Sequence, residues 1–246
     1  MIKIESRAND KFKFWLELTK SKGLKKEGFL ILPGKKLCLE ILSSKKFEVV
    51  TELIPSGHTA ITSDIKKHFE LSHELFNELD VLGTKENLFI LRNPIIQKFE
   101  QVDRIDGLEI ICPISDPSNL GAIIRSAVAF GVNKIILTKE SANPFLQKSL
   151  KASSGYAISA PLFQSDLSIH DLLHQSENCY ALDMHGEEIG KVHFQKNCRL
   201  ILGQEGQGIP QATQIKKIRI PTEQVESLNV AIAASIVLFQ IHSSKK

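Results

Sequence analysis

A chain of 246 residues with 42% hydrophobic and 24% charged residues has the composition of a folded globular protein, long enough for two cores, and is not that of a disordered chain. The net charge of +3 hides an uneven distribution. Residues 1–50 carry 12 Lys or Arg against 6 Asp or Glu, so the front is basic and the remainder slightly acidic; this suits a polyanionic partner, and it equally suits a solvated helix face.

Four widely spaced cysteines, Cys38, Cys112, Cys179 and Cys198, form no CxxC pair and argue against a zinc knuckle or a disulfide framework. They read as reduced thiols of the cytoplasm. The N-terminus MIKIESRANDKFKF has no apolar run behind its charges, so no secretory signal is expected.

Residues 11–25, KFKFWLELTKSKGLK, predict one basic amphipathic helix, with Phe12, Trp15, Leu16 and Leu18 near helical spacing and Gly23 as its stop. Phe29 to Leu32 reads as a strand, Pro33-Gly34 as a turn, and Leu37, Ile41 and Leu42 as the apolar face of a helix. Further strands are expected at 48–53, 58–62 and 88–91, with helix over 63–78. Together these predict a small α/β domain over residues 1–95, closed by an aperiodic linker at 96–106.

From residue 107 to 246 the pattern changes. Strand-like runs recur at 108–114, 134–137, 158–163, 179–183, 199–202 and 217–220, with helical stretches between most of them. Such alternation predicts a largely parallel sheet covered by helices, with ligands at the carboxyl ends of the strands. The longest apolar stretch, Val230 to Ile241, is interrupted by Ser235 and Gln240 and falls short of the roughly 18 residues of a membrane span. It reads as a core or interface helix.

Three strand-end loops carry the candidate chemistry. In the first, Ser115-Asp-Pro-Ser-Asn119 opens a helix that Ser118 or Asn119 can cap, and Leu120, Ile123, Ile124, Ala127 and Val128 form its buried face. Arg125 lies off that stripe, two turns after Ser118 and on the same side. Because helical side chains lean toward the N-terminus, it would reach over Gly121 and Ala122 toward the loop. A phosphate or ribose fits there; a surface arginine paired with a carboxylate is the plainer alternative.

The second loop, Leu202-Gly-Gln-Glu-Gly-Gln-Gly-Ile-Pro210, permits tight turns and close backbone approach to a ligand. Its spacing is GxxGxG, and too little chain follows for a dinucleotide fold, which argues against a nicotinamide-dependent oxidoreductase. Glu205 can accept bonds from loop N–H groups or stand as a solvated acid. In the third, Ile218-Arg-Ile-Pro-Thr222 leads to Ser227-Leu-Asn-Val230, where Ser227 and Asn229 can serve as caps of a helix that is apolar nearly all round.

In this order, Asp116-Pro-Ser-Asn-Leu-Gly-Ala-Ile-Ile-Arg125, Leu202-Gly-Gln-Glu-Gly-Gln-Gly-Ile209, and Ile220-Pro221 with Ser227-Leu-Asn-Val230 resemble the three motifs of the SpoU (TrmH) family of RNA 2'-O-methyltransferases. Ala152-Ser-Ser-Gly155 resembles a segment between the first two motifs. The N-terminal SRANDKFKFWLEL and GFLILPGKK are similar to the L30e-like substrate-binding domain that often precedes that catalytic domain, although Pro33-Gly34 departs from the acidic residue usual before the glycine.

The resemblance implies a SPOUT-type α/β domain with a deep trefoil knot, a homodimer, S-adenosylmethionine as cofactor, and RNA as partner, ribosomal RNA first and transfer RNA second. It places cofactor binding at Leu202, Gly203, Glu205, Gly206, Ile220, Ser227, Leu228 and Asn229, and catalysis at Asn119, Arg125, Glu205, Ser227 and Asn229. Arg125 would stand nearest the ribose hydroxyl and its adjoining phosphate, orienting and neutralising charge, since a guanidinium is a poor general base. No metal is expected from the scattered histidines, and no membrane partner. The competing reading is a non-catalytic RNA-binding or ribosome-assembly protein of the same fold.

Overall fold

The computed structural model describes residues 1–100, 104–173, 178–204, 206, 208–209 and 215–244. They divide into two compact units, one of Met1–Pro94 with Asn143–Ile158 and one of Ile95–Ala142 with Ser159–Lys246.

The first unit begins with β1 (Ile2–Ile4), α1 (Asp10–Glu17), α2 (Ser21–Glu27), β2 (Phe29–Pro33) and α3 (Lys35–Ser44). It continues with β3 (Val49–Pro55), β4 (His68–Leu71), α4 (His73–Leu79) and β5 (Leu88–Arg92). Its sheet runs β1-β4-β3-β5-β2, with β1, β4 and β3 parallel and β5 antiparallel to both its neighbours. Asn9 starts α1 by accepting N–H bonds from Lys11 (2.9 Å) and Phe12 (3.4 Å), and the helix buries Phe12 and Trp15.

Three expectations are corrected here. The helix foreseen over 11–25 is two helices, and Gly23 sits inside the second rather than ending the first. A Cβ at residue 23 would lie 2.0 Å from the Glu17 carbonyl oxygen, so this glycine lets α1 and α2 touch. Residues 58–62 form no strand. Within the helix foreseen over 63–78 lie β4 and α4, separated by Ser72, whose Oγ accepts the Leu75 N–H at 3.4 Å. At the Pro33-Gly34 turn, Gly34 takes φ 86° and the Lys35 N–H donates to Glu86 Oε2 at 2.6 Å.

In the second unit, β6 (Gln97–Lys98), β7 (Leu108–Cys112), α5 (Pro117–Ala129) and β8 (Lys134–Leu137) come first. The chain then leaves for α6 (Gln147–Ala152), which belongs to the first unit: Gln147 Nε2 donates to the Leu79 carbonyl at 2.7 Å, and Phe145 and Leu150 are buried. It returns for β9 (Leu162–Gln164), α7 (Ile169–Leu172), β10 (Cys179–Glu188), β11 (Cys198–Ile201), β12 (Lys216–Arg219) and α8 (Val230–Ser244).

The seven strands run β12-β10-β11-β7-β8-β9-β6, every pairing parallel. A parallel sheet is covered on both faces, which is why LEIIC, KIIL and CRLI are nearly continuous apolar runs. The strand foreseen at 158–163 starts only at Leu162, because Tyr156–Ile158 is a single 3-10 turn. β10 is longer than foreseen and irregular: both Leu182 and Glu187 pair with Ile218, so residues 183–186 bulge out between them.

Asp116, not Ser118 or Asn119, caps α5, its carboxylate accepting the Asn119 N–H at 2.8 Å with Pro117 in the first turn. Leu120, Ile123, Ile124 and Ala127 are buried as the periodicity required, whereas Val128, the fifth residue of that face, is half-buried. α8 packs on α5, with Ser126 Oγ and Ser235 Oγ 2.7 Å apart. On its other side Ile232, Ile236 and Phe239 form an exposed stripe at positions i, i+4 and i+7. No helix among the described residues is long and apolar enough to cross a membrane.

Candidate active site

At the carboxyl ends of β10, β11 and β12 the loops enclose a cleft of about 590 Å3. Its floor is the glycine loop that follows β11. Gln204 and Gly208 exchange both backbone hydrogen bonds, 3.1 and 2.8 Å, closing a tight loop. Gly206 and Gly208 take φ values of 80° and 69°, and a Cβ at residue 203 would fall 2.9 Å from the Gly208 carbonyl carbon. Conformation at Gly206 and Gly208 and lack of room at Gly203 disfavour side chains there, so at these three positions the floor is main chain.

Opposite walls come from Ile220 and Thr222 after β12, from Ser227 and Leu228 ahead of α8, and from Leu182 to His185 in the β10 bulge. Of the residues singled out from the sequence, Gly203, Gly206, Ile220, Ser227 and Leu228 therefore border one cavity. Leu202 is fully buried and continues the sheet, its N–H bonded to the Ile111 carbonyl at 3.1 Å. Glu205 lies outside the described residues.

Asn119, Arg125 and Asn229 do not line the cleft. Two of them meet: Asn229 Nδ2 donates to Asn119 Oδ1 at 3.1 Å, joining the first turn of α5 to the start of α8. Asn229 Oδ1 also accepts the Ala231 N–H (2.9 Å) and the Ile232 N–H (3.4 Å), so Asn229 and not Ser227 caps α8. Arg125 is exposed two turns along α5.

One wall of the cleft is charged, and no motif in the sequence pointed to it. Asp183 Oδ2 and Lys217 Nζ are 2.8 Å apart, with side chains 14% and 27% exposed, and Asp183 Oδ1 accepts the His185 N–H at 2.9 Å. Burial pushes the Asp183 carboxyl up, but the hydrogen bonds from Lys217 and the His185 N–H outweigh it and hold the group below the usual carboxylate value. The sequence carried no local signal for this wall: the strand expected at 179–183 ends before Gly186, and the wall depends on pairing between β10 and β12.

A cavity of this size, with apolar sides at Leu182, Ile209, Ile220 and Leu228 and a main-chain floor, fits a nucleoside-sized ligand held by backbone groups and apolar contact. Among the described residues no group of three or more His, Cys, Asp or Glu stands ready for a metal ion. The fold and the site define a protein with a parallel α/β unit and a cleft at its strand ends that is floored by a glycine-rich loop.

The SpoU rRNA Methylase family model matches residues 110–239, more than half of the chain, and the chain belongs to that family. It is 32% identical over 244 residues to ribosomal RNA small subunit methyltransferase G 2 of Syntrophobacter fumaroxidans; the match covers 96% of this chain and 48% of that protein, so the chain spans about half that relative's length. It is 27% identical over 251 residues to the 23S rRNA (guanosine(2553)-2'-O)-methyltransferase RlmP of Bacillus subtilis, covering 98% of this chain and 99% of that protein. In fold it is similar to the AdoMet-bound rRNA methyltransferase from Sinorhizobium meliloti, with a TM-score of 0.75 at 22% identity over 98% of this chain and 97% of that one.

Proposed function

We propose that this protein transfers the methyl group of S-adenosylmethionine to a ribose 2'-hydroxyl of ribosomal RNA. The observation that carries the proposal is the cleft floored by the glycine loop and walled by Ser227 and Leu228, inside the stretch that matches the family. The names of the relatives matching nearly the whole chain favour ribosomal over transfer RNA.

When bound, S-adenosylmethionine supplies a methyl group activated on a sulfonium. The chain's own residues hold and orient. Main-chain groups of Gly203, Gly206 and Ile220 grip the nucleoside part, while Leu182, Ile209 and Leu228 exclude water from its apolar faces. The Asn119–Asn229 bond fixes the starts of α5 and α8 relative to one another, which sets the helix that carries Arg125. Arg125 orients the RNA phosphate and neutralises the charge that grows on the ribose oxygen as its proton passes to solvent, the S–CH3 bond breaking as the O–CH3 bond forms; positioning of this kind is the main contribution available to a protein in such a displacement.

Residues 1–95 are assigned the RNA-holding role of an L30e-like domain, 96–106 the linker and 107–246 the catalytic domain with its deep trefoil knot, of which Asn143–Ile158 packs with the first unit. The basic balance of residues 1–50 supports the first assignment. The same proposal includes a homodimer, because the Ile232, Ile236 and Phe239 stripe is an apolar face that a second copy would cover.

The test is transfer of labelled methyl from S-adenosylmethionine to total RNA of cells lacking this gene, followed by size separation and nucleoside analysis. Label on 2'-O-methylribose in large RNA is expected. Label in small RNA moves the substrate to transfer RNA, and cofactor binding without label leaves a non-catalytic RNA-binding protein.

A further inference from the structure

The wall of the cleft made by the β10 bulge is held by unequal means at its two ends. At the exit, Gly186 sits directly on β12: a Cβ there would lie 2.4 Å from the Ile218 nitrogen, so the backbones themselves fix the return of the strand. At the entry the backbone ladder ends at Leu182, which pairs with Ile218. There Asp183 reaches across to Lys217 at 2.8 Å and turns back to accept the His185 N–H at 2.9 Å. Met184 and His185, which these bonds enclose, are exposed and border the cleft.

Two further ion pairs link the same strands beyond the bulge, Glu187–Lys216 at 3.0 Å and Glu188–Arg219 at 2.6 Å. Their side chains are 44% and 45%, and 32% and 37%, exposed, and pairs so open to water contribute little. The Asp183–Lys217 pair is the most buried of the three and both its members line the cleft. Neither residue was singled out by the family motifs.

We propose that Asp183 and Lys217 are a positioning pair: their ion pair clamps the base of the 183–186 bulge and so holds Met184 and His185 as a fixed wall of the cofactor cleft. The pair thereby sets affinity for the cofactor without touching the transferred methyl group. The proposal rests on the assignment of this cleft to S-adenosylmethionine. Broken, the pair leaves a looser wall and also a desolvated charge facing the ligand, and both effects weaken binding rather than chemistry.

The experiment measures S-adenosylmethionine affinity by calorimetry, thermal midpoint, and methyl-transfer kinetics on the full-length protein and on Asp183→Asn, Lys217→Met, Lys217→Arg and Lys216→Met. Asp183→Asn and Lys217→Met are expected to raise Kd and the cofactor KM by about five-fold while kcat changes by less than about two-fold. Lys217→Arg keeps the charge and should bind within about two-fold of the parent, as should Lys216→Met, which breaks the more exposed pair.

A lowered thermal midpoint with unchanged Kd in Asp183→Asn and Lys217→Met overturns the proposal, because the pair would then serve the fold alone. Equal losses in Lys217→Arg and Lys217→Met overturn it too, since charge would not be what matters. Absence of S-adenosylmethionine binding by the parent protein removes the cofactor assignment itself, a result distinct from either.

Discussion

Among the described residues each unit buries one glutamate completely; both accept a loop N–H, that of Asp106 at 3.1 Å in the case of Glu109, but they differ in their other partners. In the first unit Glu52, on β3, accepts the Ile61 N–H at 2.8 Å and Asn87 Nδ2 at 2.6 Å through one oxygen. Its other oxygen has no hydrogen-bond partner and lies 3.3 Å from His68 Nε2, which is 3.0 Å from the Thr62 carbonyl. In the second unit Glu109, near the start of β7, takes two bonds from Arg199 at 2.8 and 2.6 Å and has Lys134 at 3.5 Å. One carboxylate ties down a loop with neutral donors, and the other is neutralised by cations.

The difference separates stability from chemistry along a parallel sheet. Glu109 and its cations stand at the amino ends of the strands, where nothing else is required of them. The carboxyl ends are left to glycine, main chain and the Asp183–Lys217 pair, which is the end where ligands of such sheets bind. The first unit has no comparable division: its buried carboxylate organises residues 59–62, a surface loop.

The largest effect that could break this comparison is Arg125→Ala. Methyl transfer is expected to fall by about 100-fold or more, because a positioned cation at the developing charge is lost. Affinity for S-adenosylmethionine should not change, since Arg125 does not line the cleft. Single-turnover transfer and calorimetry on the same protein check both halves. A parallel loss of cofactor binding would merge two functions that the geometry keeps apart.

Legibility from sequence follows the same division. α5, with Arg125 off its buried stripe, was readable because periodicity within one helix fixes which side chains are hidden. The strand 134–137 was readable because continuous apolar residues between two covered faces leave no other solution. Residues 63–78 were not. His68–Leu71 is a strand because β1 and β3 pair with it from either side, an interaction between segments far apart in the chain.

Gly23 misled for a related reason: its role is the approach of α1 to α2, which no local pattern records. In the site, the motif glycines and Ser227-Leu228 were legible because short loops need special residues. The Asp183–Lys217 wall arises from pairing between β10 and β12 and was not.

A middle-sized effect tests the first unit. Glu52→Ala strips the partner from the Ile61 N–H and one of two partners from Asn87 Nδ2, which keeps the Thr59 carbonyl, and leaves a cavity, so a loss of about 3 kcal/mol in unfolding free energy is expected. Urea denaturation followed by fluorescence of Trp15, which is buried in this unit, measures it. A change under about 1 kcal/mol would mean that loop 59–62 already hydrates Glu52 in solution.

The smallest effect concerns which unit opens first, and the four buried cysteines report it. Burial pushes the Cys38 and Cys112 thiols well above the usual thiol range, so neither is reactive in the native state at neutral pH, and labelling follows opening of the surrounding structure. Cys38 lies in the first unit, whereas Cys112, Cys179 and Cys198 lie in the second. The carboxylate of Glu52 is left with one oxygen unbonded, whereas that of Glu109 is fully paired. Local opening of the first unit should therefore need less free energy. Pulsed thiol labelling in rising urea, read residue by residue by mass spectrometry, is expected to show Cys38 reacting at a midpoint about 0.5 M below the other three. A single midpoint for all four would make the two units one cooperative body, and the contrast between their buried glutamates would then be one of geometry with no counterpart in stability.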